Sequence, residues 1–467
     1  MRLFATRRAR DLAAGLLLLL VYVVVGKLGL RLAFAYPSAT PVWPATGLAL
    51  AAFLRFGRRV WPAVFLGAFI VNETTAGTIA TSVLIAAGNT LEALTGAWLI
   101  ERYAGGRTFF LRADGIFKFT ILAALVSTAI SATIGVLTLR VAGLLPADAT
   151  HSAWITWWLG DASGDLLVAP VLLSWATLPR WRPTRAEALE ALALFVTLPI
   201  VGIALFGSAA PFERSGAPPT FFGVPLLIWA AVRLGFRKAS TATLLLATIA
   251  VWGTLHGHGG FVRGTPNASL LLLQAYMAVA SVMTMTLAAA VVERKAAEEK
   301  LRTLAISDPL TGIANYRHLI DVLGQEIGRS QRTGRPFALL FLDVDGLKKI
   351  NDRHGHIVGS RALTRVAEVL RASARAVDTA ARYGGDEFAL LLPETAEPAA
   401  WQVGQRISER LAADAETPPV RVSLGLATYP RDGADPESLL GMADTRLYQA
   451  RSRSRGEAPF PGAPGVR

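Results

Sequence analysis

Residues 382–388 read Arg-Tyr-Gly-Gly-Asp-Glu-Phe, two glycines followed at once by two carboxylates. The runs 378–383 before it and 388–392 after it have strand composition, and Pro393 closes the second. Paired glycines between short strands predict a tight hairpin, because such turns need positive φ. Lacking a Cβ, Gly384 and Gly385 let a phosphate approach bare backbone. Asp386 and Glu387 would repel that phosphate unless a hard cation such as Mg²⁺ sat between them. The chemistry predicted is metal-assisted handling of a phosphorylated ligand. A solvated Gly-Gly-Asp-Glu turn remains open on this run alone.

Further motifs stand in order around it. Upstream are Asp308-Pro-Leu-Thr-Gly312 with Asn315 and Arg317, then Leu342-Asp343-Val344-Asp345-Gly-Leu-Lys348-Lys-Ile-Asn351-Asp352. Gly355-His356-Ile-Val-Gly359 follows, and downstream come Val422-Ser423-Leu-Gly425 and Ala443-Asp444 through Leu447-Tyr448. On these motifs residues 307–456 resemble the GGDEF family of diguanylate cyclases. The resemblance implies an α/β, palm- or ferredoxin-like antiparallel sheet that joins two GTP into cyclic di-GMP, releasing two pyrophosphates. Because two GTP-loaded halves must face each other, it also implies a homodimer. Such a transfer rests on positioning and charge neutralisation.

By family position, Asp343, the Val344 carbonyl and Asp386 would hold Mg²⁺ (or Mn²⁺), and Asp386 or Glu387 would help deprotonate the attacking hydroxyl. Lys348, Arg451 and Arg455 match phosphate-binding positions, with Arg451 where the family usually has Lys. Asn351 and His356 match the guanine pocket. Ser360 replaces the usual Asp there, exchanging a bidentate charged acceptor for one neutral hydroxyl. Arg375-Ala-Val-Asp378 fits an RxxD site for product inhibition, joined by Arg406.

What must position these residues follows from composition. The 467 residues are 52% hydrophobic and 17% charged, with a net charge of +13 and no cysteine. Thiolate chemistry and disulfides are excluded. Residues 1–292 carry 22 Lys and Arg against 11 Asp and Glu, whereas 293–467 carry 25 against 23. The excess charge therefore belongs to the apolar half, which argues for membrane topology and against nucleic acid.

Ten apolar stretches lie near 12–25, 42–54, 60–71, 78–100, 115–139, 153–176, 187–207, 220–232, 239–255 and 269–292. The stretches 42–54, 60–71 and 220–232 are short against the ~20 residues a span needs. Eight to ten spans are predicted, the first uncleaved. Basic clusters recur at every second connection and hold 17 of those 22 cations, which places both termini in the cytoplasm. His151, His256 and His258 fall in the opposite connections.

This half resembles the MASE1 integral-membrane sensor domains at Val42-Trp43-Pro44-Ala-Thr46-Gly47, Arg59-Val-Trp61-Pro62, Leu66-Gly67 through Asn72, and Trp158-Leu159-Gly160-Asp161 through Asp165. The resemblance implies a bacterial inner-membrane sensor without naming its ligand. Asn72, Glu73, Asn89, Glu92, Asp161 and Asp165 are candidate sensor residues, since carboxylates in a bilayer face an interior or an aqueous cavity. Asn89 with Glu92, and Asp161 with Asp165, share helix faces. Interhelical hydrogen bonding is the alternative. Residues 293–306 are expected to form a helical signalling linker, and 457–467 a disordered tail. Two further readings stay open: a cyclic di-GMP receptor weakened as an enzyme by Ser360, and a transporter with an attached regulator.

Overall fold

The computed structural model describes residues 2–35, 38–75, 77–179, 183–207, 219–414 and 417–455. It divides into two compact units, Met1–Ala296 and Ala297–Arg467. The expected tail, 457–467, lies outside the described residues.

The first unit is built of helices: α1 (Arg2–Leu30), α2 (Pro44–Phe56), α3 (Trp61–Glu73), α4 (Ile79–Tyr103), α5 (Ala113–Phe119), α6 (Thr128–Val141), α7 (Thr150–Thr177), α8 (Arg185–Phe206), α9 (Val224–Trp229), α10 (Phe236–Leu255) and α11 (Pro266–Ile306). A π-helical stretch, Thr120–Ser127, joins α5 to α6 without a break. Each of the ten apolar stretches falls on a helix. Among the described residues, six segments are long and apolar enough to cross a membrane: Leu12–Leu30, Ile79–Tyr103, Ala113–Val141, Arg185–Phe206, Phe236–Leu255 and Pro266–Ile306. The 28-residue α7 is long enough, but its aspartates and hydroxyl residues dilute its hydropathy. α2 and α3 have 13 residues each, each with proline in its first turn, which needs no donor there. Capping boxes, Thr78 with Thr81 and Thr184 with Glu187, start α4 and α8.

Glycines let α7 meet the entry to α2 backbone to backbone. A Cβ on Gly160 would stand 2.2 Å from the Thr40 carbonyl oxygen, and one on Gly164 2.2 Å from that of Trp43. The non-helical run 38–43 is largely buried against α7 in consequence. Irregular backbone inside a membrane bundle is tolerated where protein covers it or a cavity adjoins it.

The second unit holds α12 (Tyr316–Thr333), β1 (Phe337–Val344), α13 (Leu347–His354), α14 (His356–Ser373), β2 (Thr379–Gly384), β3 (Glu387–Leu392), α15 (Glu397–Ala412), β4 (Val422–Tyr429) and α16 (Pro436–Arg455). The sheet is antiparallel throughout, in the order β2-β3-β1-β4. Every residue of β1 is buried, because helices cover both faces. Ala338, Leu340, Leu342 and Val344 pack with α14 and α15, while Phe337, Leu339 and Phe341 pack with α12 and α16. Period-two alternation therefore sends Asp343 to the α12–α16 face at the strand's end.

Candidate active site

The expected hairpin is present with a refinement. β2 includes Gly384 and β3 begins at Glu387, so the turn proper is Gly385-Asp386. Only Gly385 has positive φ (54°), so one glycine supplies the turn and Gly384 ends the strand. Asp386 thus stands in the turn rather than after it, and Glu387 is paired in the sheet directly across from Asp343. Cross-strand partners share a face, so two carboxylates lie side by side, with Asp386 at the strand's end. The Val344 N–H donates to the Asp386 carbonyl at 3.0 Å, fastening the turn to β1.

Such crowding has an electrostatic cost. Burial raises the Asp343 carboxyl to about 6; the Arg451 guanidinium pulls it down, while Asp386 and Glu387 push it up. Burial, then Asp444 and Asp386, raise Glu387 as well. Arg451, on α16, is hydrogen-bonded to Asp343 and stands 3.5 Å from Asp345. Ser423 donates to Asp345 at 2.7 Å. The site is an acidic nest held by one arginine.

Its donor set fits a hard divalent cation. Asp343, Asp386 and the Val344 carbonyl offer oxygen only, the donor type a hard divalent cation prefers. Among the described residues no group of three or more His, Asp and Glu could hold a metal by itself. Phosphate oxygens or water would have to complete the coordination, as is usual for Mg²⁺.

The remaining predicted residues spread around this end of the sheet. Gly346 turns the chain with φ 73° into α13, which carries Lys348, exposed, and Asn351. Gly355 (φ 85°) turns it again into α14, where His356 is exposed and Ser360 half-buried. A Cβ at Gly359 would fall 1.8 Å from the Asn351 Oδ1, so that glycine makes room for the Asn351 amide. Arg455 closes α16, but its side chain lies outside the described residues. Arg375 and Asp378 stand apart, at the α14–β2 connection. There the Arg375 N–H donates to Asp378 Oδ2 at 2.6 Å, while Asp378 Oδ1 is buried without a partner. Arg406 reaches the same connection, donating to the Ser373 carbonyl at 3.0 Å.

One residue had no role assigned from sequence. Arg382 donates to the Gly385 carbonyl at 3.1 and 2.6 Å and to both Asp308 oxygens at 3.2 Å. It ties the start of the domain to the turn. Burial pushes the Asp308 carboxyl up, but hydrogen bonds from Thr311 and the charge of Arg382 outweigh it, leaving Asp308 below its ordinary value. A cation two residues before the turn glycines was the available signal.

In the membrane unit, the polar candidates sort differently. Asn72, Asn89 and Asp161 line one small cavity with Thr40, Trp43 and Trp157. Glu92 and Asp165 are buried beside Asp161, whereas Glu73, at the end of α3, does not line that cavity. His256 is engaged locally, its Nδ1 2.8 Å from the Trp252 carbonyl.

Known families match both units. The MASE1 family profile covers residues 14–295, and the profile described as diguanylate cyclase, GGDEF domain covers 305–457. The chain belongs to the MASE1 family and carries a GGDEF domain. Among curated relatives, the bifunctional diguanylate cyclase/cyclic di-GMP phosphodiesterase MucR of Pseudomonas aeruginosa is 42% identical over 164 residues, 34% of this chain and 24% of that protein. The response regulator PleD of Caulobacter vibrioides is 35% identical, over 32% of this chain and 35% of its own. Diguanylate cyclase DosC of Escherichia coli is 34% identical, over 41% and 42%. The chain thus spans about a quarter to two fifths of these relatives' lengths. Among solved structures, a sensory box/GGDEF family protein from Caulobacter crescentus is 36% identical, over 32% of this chain and 98% of its own, with TM-score 0.30. The coiled coil and GGDEF domain of Caulobacter crescentus DgcB, in complex with c-di-GMP, is 30% identical, over 36% and 91%, with TM-score 0.33. A MASE1 domain with several apolar spans makes this an integral membrane protein.

Proposed function

We propose that this protein is a membrane-bound sensor whose GGDEF domain condenses two GTP into cyclic di-GMP. The observation that carries the reading is the convergence of Asp343, at the buried end of β1, with Asp386 and Glu387 at the β2–β3 turn. In each half-reaction a ribose 3′-oxygen forms a bond to the α-phosphorus of the other GTP, and the bond to pyrophosphate breaks. Asp386 or Glu387 takes the hydroxyl proton. Asp343, Asp386 and the Val344 carbonyl would hold Mg²⁺ or Mn²⁺, which polarises phosphoryl oxygens and lowers the pKa of the attacking hydroxyl. Lys348, Arg451 and Arg455 neutralise phosphate charge, and Gly384 and Gly385 admit the phosphates to the backbone. Asn351 and His356 face the base, with Ser360 a weaker reader of guanine than a carboxylate.

Chemistry needs two such domains face to face, so the active unit is a homodimer, joined through the helix that leaves the last span. Residues 1–292 would form the sensor, 293–306 the linker and 307–456 the cyclase. Arg375, Asp378 and Arg406 bind the product as a feedback inhibitor. The positive-inside charge pattern supports both termini in the cytoplasm of a bacterial inner membrane.

Incubating the purified full-length protein in detergent with GTP and Mg²⁺ tests the reading, with cyclic di-GMP and pyrophosphate as expected products. No turnover with retained cyclic di-GMP binding would make the domain a receptor. Preferential use of ATP would overturn the guanine assignment.

A further inference from the structure

Carboxyl groups at mid-helix in the membrane unit lack the partners that such groups require. Glu92 stands near the centre of α4, and Asp161 and Asp165 near the centre of α7, each no more than 1% exposed. Glu92 faces Asp161, and Asp165 lies one turn further along α7. Neither oxygen of Glu92 has a hydrogen-bond partner, nor does Oδ2 of Asp161 or Oδ1 of Asp165. The neighbouring donors are largely committed. Thr46 gives its hydroxyl to Asp161 Oδ1 at 3.0 Å, while Ser131 donates to Asn89 at 2.7 Å and accepts from Trp157 at 3.2 Å.

Among the described residues no basic side chain compensates them. Among the described residues, the titratable groups acting on this cluster are Tyr22 of α1, Glu92 of α4, and Asp161 and Asp165 of α7. The facing residues of α2 and α6, Thr46 and Ser131, are neutral. An isolated ionised carboxylate away from water costs many kcal/mol, so buried charges are paired, bind cations or are neutralised. Hydrogen bonding between helices, the bland alternative, would leave no such orphan oxygens. Asp161, though not Glu92 or Asp165, also lines a small cavity of about 10 Å³, room for a single water-sized occupant. Ser38 and Thr40, from the buried non-helical run, form its other side with Asn72 and Asn89. All of the polar lining apart from the Trp43 and Trp157 rings is amide, hydroxyl or carboxyl, which suits a hard cation.

We propose that Glu92 and Asp161, backed by Asp165, form an intramembrane binding site for a hard monovalent cation. The occupant is a proton shared between the two facing carboxyls, or an alkali ion of Na⁺ size bound in its place. The site deepens the sensor reading of the membrane unit by naming a ligand class, and its test uses no cyclase activity. Failure here would leave the cyclase reading standing.

The test is infrared difference spectroscopy on the full-length protein in lipid nanodiscs, titrated from acid to alkaline pH in a sodium-free choline buffer. A protonated-carboxyl band should disappear as pH rises, and Glu92→Gln and Asp161→Asn should each remove that band from the difference spectrum. Aqueous carboxyls of the cyclase domain are unchanged in these variants and cancel in the comparison. Adding NaCl at fixed pH then separates the sources. Loss of the band with Na⁺, but not with choline, assigns an alkali ion; indifference to Na⁺ assigns the proton. If one variant fails to insert, the other decides by the same comparison. A native-minus-variant difference with no protonated-carboxyl band that responds to pH or Na⁺ would overturn the site. So would a band that both variants leave intact.

Discussion

Asp343 in the soluble unit and Asp161 in the membrane unit are both nearly inaccessible, at 6% and 0% exposure. Asp343 lies at a sheet's end with Arg451 against it and further carboxylates in the adjoining turn. Asp161 lies at mid-helix with a threonine hydroxyl and no cation. The first arrangement is complete enough to exist in water. The second has no solvent to fall back on, so its counter-ion must come from outside the chain. Residue type alone does not distinguish the two; the medium and the nearest cation do.

Breaking the soluble site should have the largest effect. Asp386→Ala would remove one of the two proposed carboxylate ligands, so cyclic di-GMP formation should fall to background. The membrane unit should remain folded, checked by size-exclusion chromatography of the detergent-solubilised variant. Turnover at the native rate would remove Asp386 from the chemistry.

Gly164→Val is the mirror experiment. Its Cβ would fall 2.2 Å from the Trp43 carbonyl oxygen, a clash that backbone must absorb. Overpacking of this kind costs about 1–3 kcal/mol or more. Thermal unfolding should show the membrane transition lowered and that of the cyclase domain unmoved. A shift of both together would mean that the units do not unfold independently.

A milder change concerns guanine. A neutral hydrogen bond contributes about 0.5–1.5 kcal/mol and one to a charged group about 1.5–3. Ser360→Asp should therefore lower the apparent KM for GTP by roughly tenfold, at 1.4 kcal/mol per decade. Selectivity over ATP should sharpen, with kcat little altered, and competition assays with both nucleotides read this directly. Acid should act at the same site through Asp343, whose carboxyl is raised to about 6. A proton there competes with the cation, so the Mg²⁺ requirement should rise as pH falls through about 6 and ease above it.

The smallest effect on initial rate belongs to Arg375→Ala, since that residue stands apart from the turn. Inhibition by added cyclic di-GMP should weaken while the uninhibited rate holds. Equal inhibition of both forms would reduce the RxxD run to a surface turn.

Much of this protein was legible in its sequence because the signals were local. Apolar run length marks helices, since a bilayer leaves backbone groups no other partners. All ten apolar stretches fall on helices, and six segments meet the length and composition of a span. The glycines of 382–388 announced a turn between two strands, because a two-residue turn is a short-range steric matter. Motif order was enough to identify both families.

Other features needed the tertiary structure. From sequence, Asn89 with Glu92 and Asp161 with Asp165 were two helix-face pairs; packing of both α4 and α7 against α6 and α2 made them one cluster, joined through Ser131 and Trp157. Arg382 reached Asp308, 74 positions away, only through folding. Arg451 found Asp343 across 108 positions. Long-range pairings of charge depend on which faces two distant elements present to each other. No run of neighbouring residues encodes that, so only the packed structure decides whether a buried carboxylate has a partner or must acquire one.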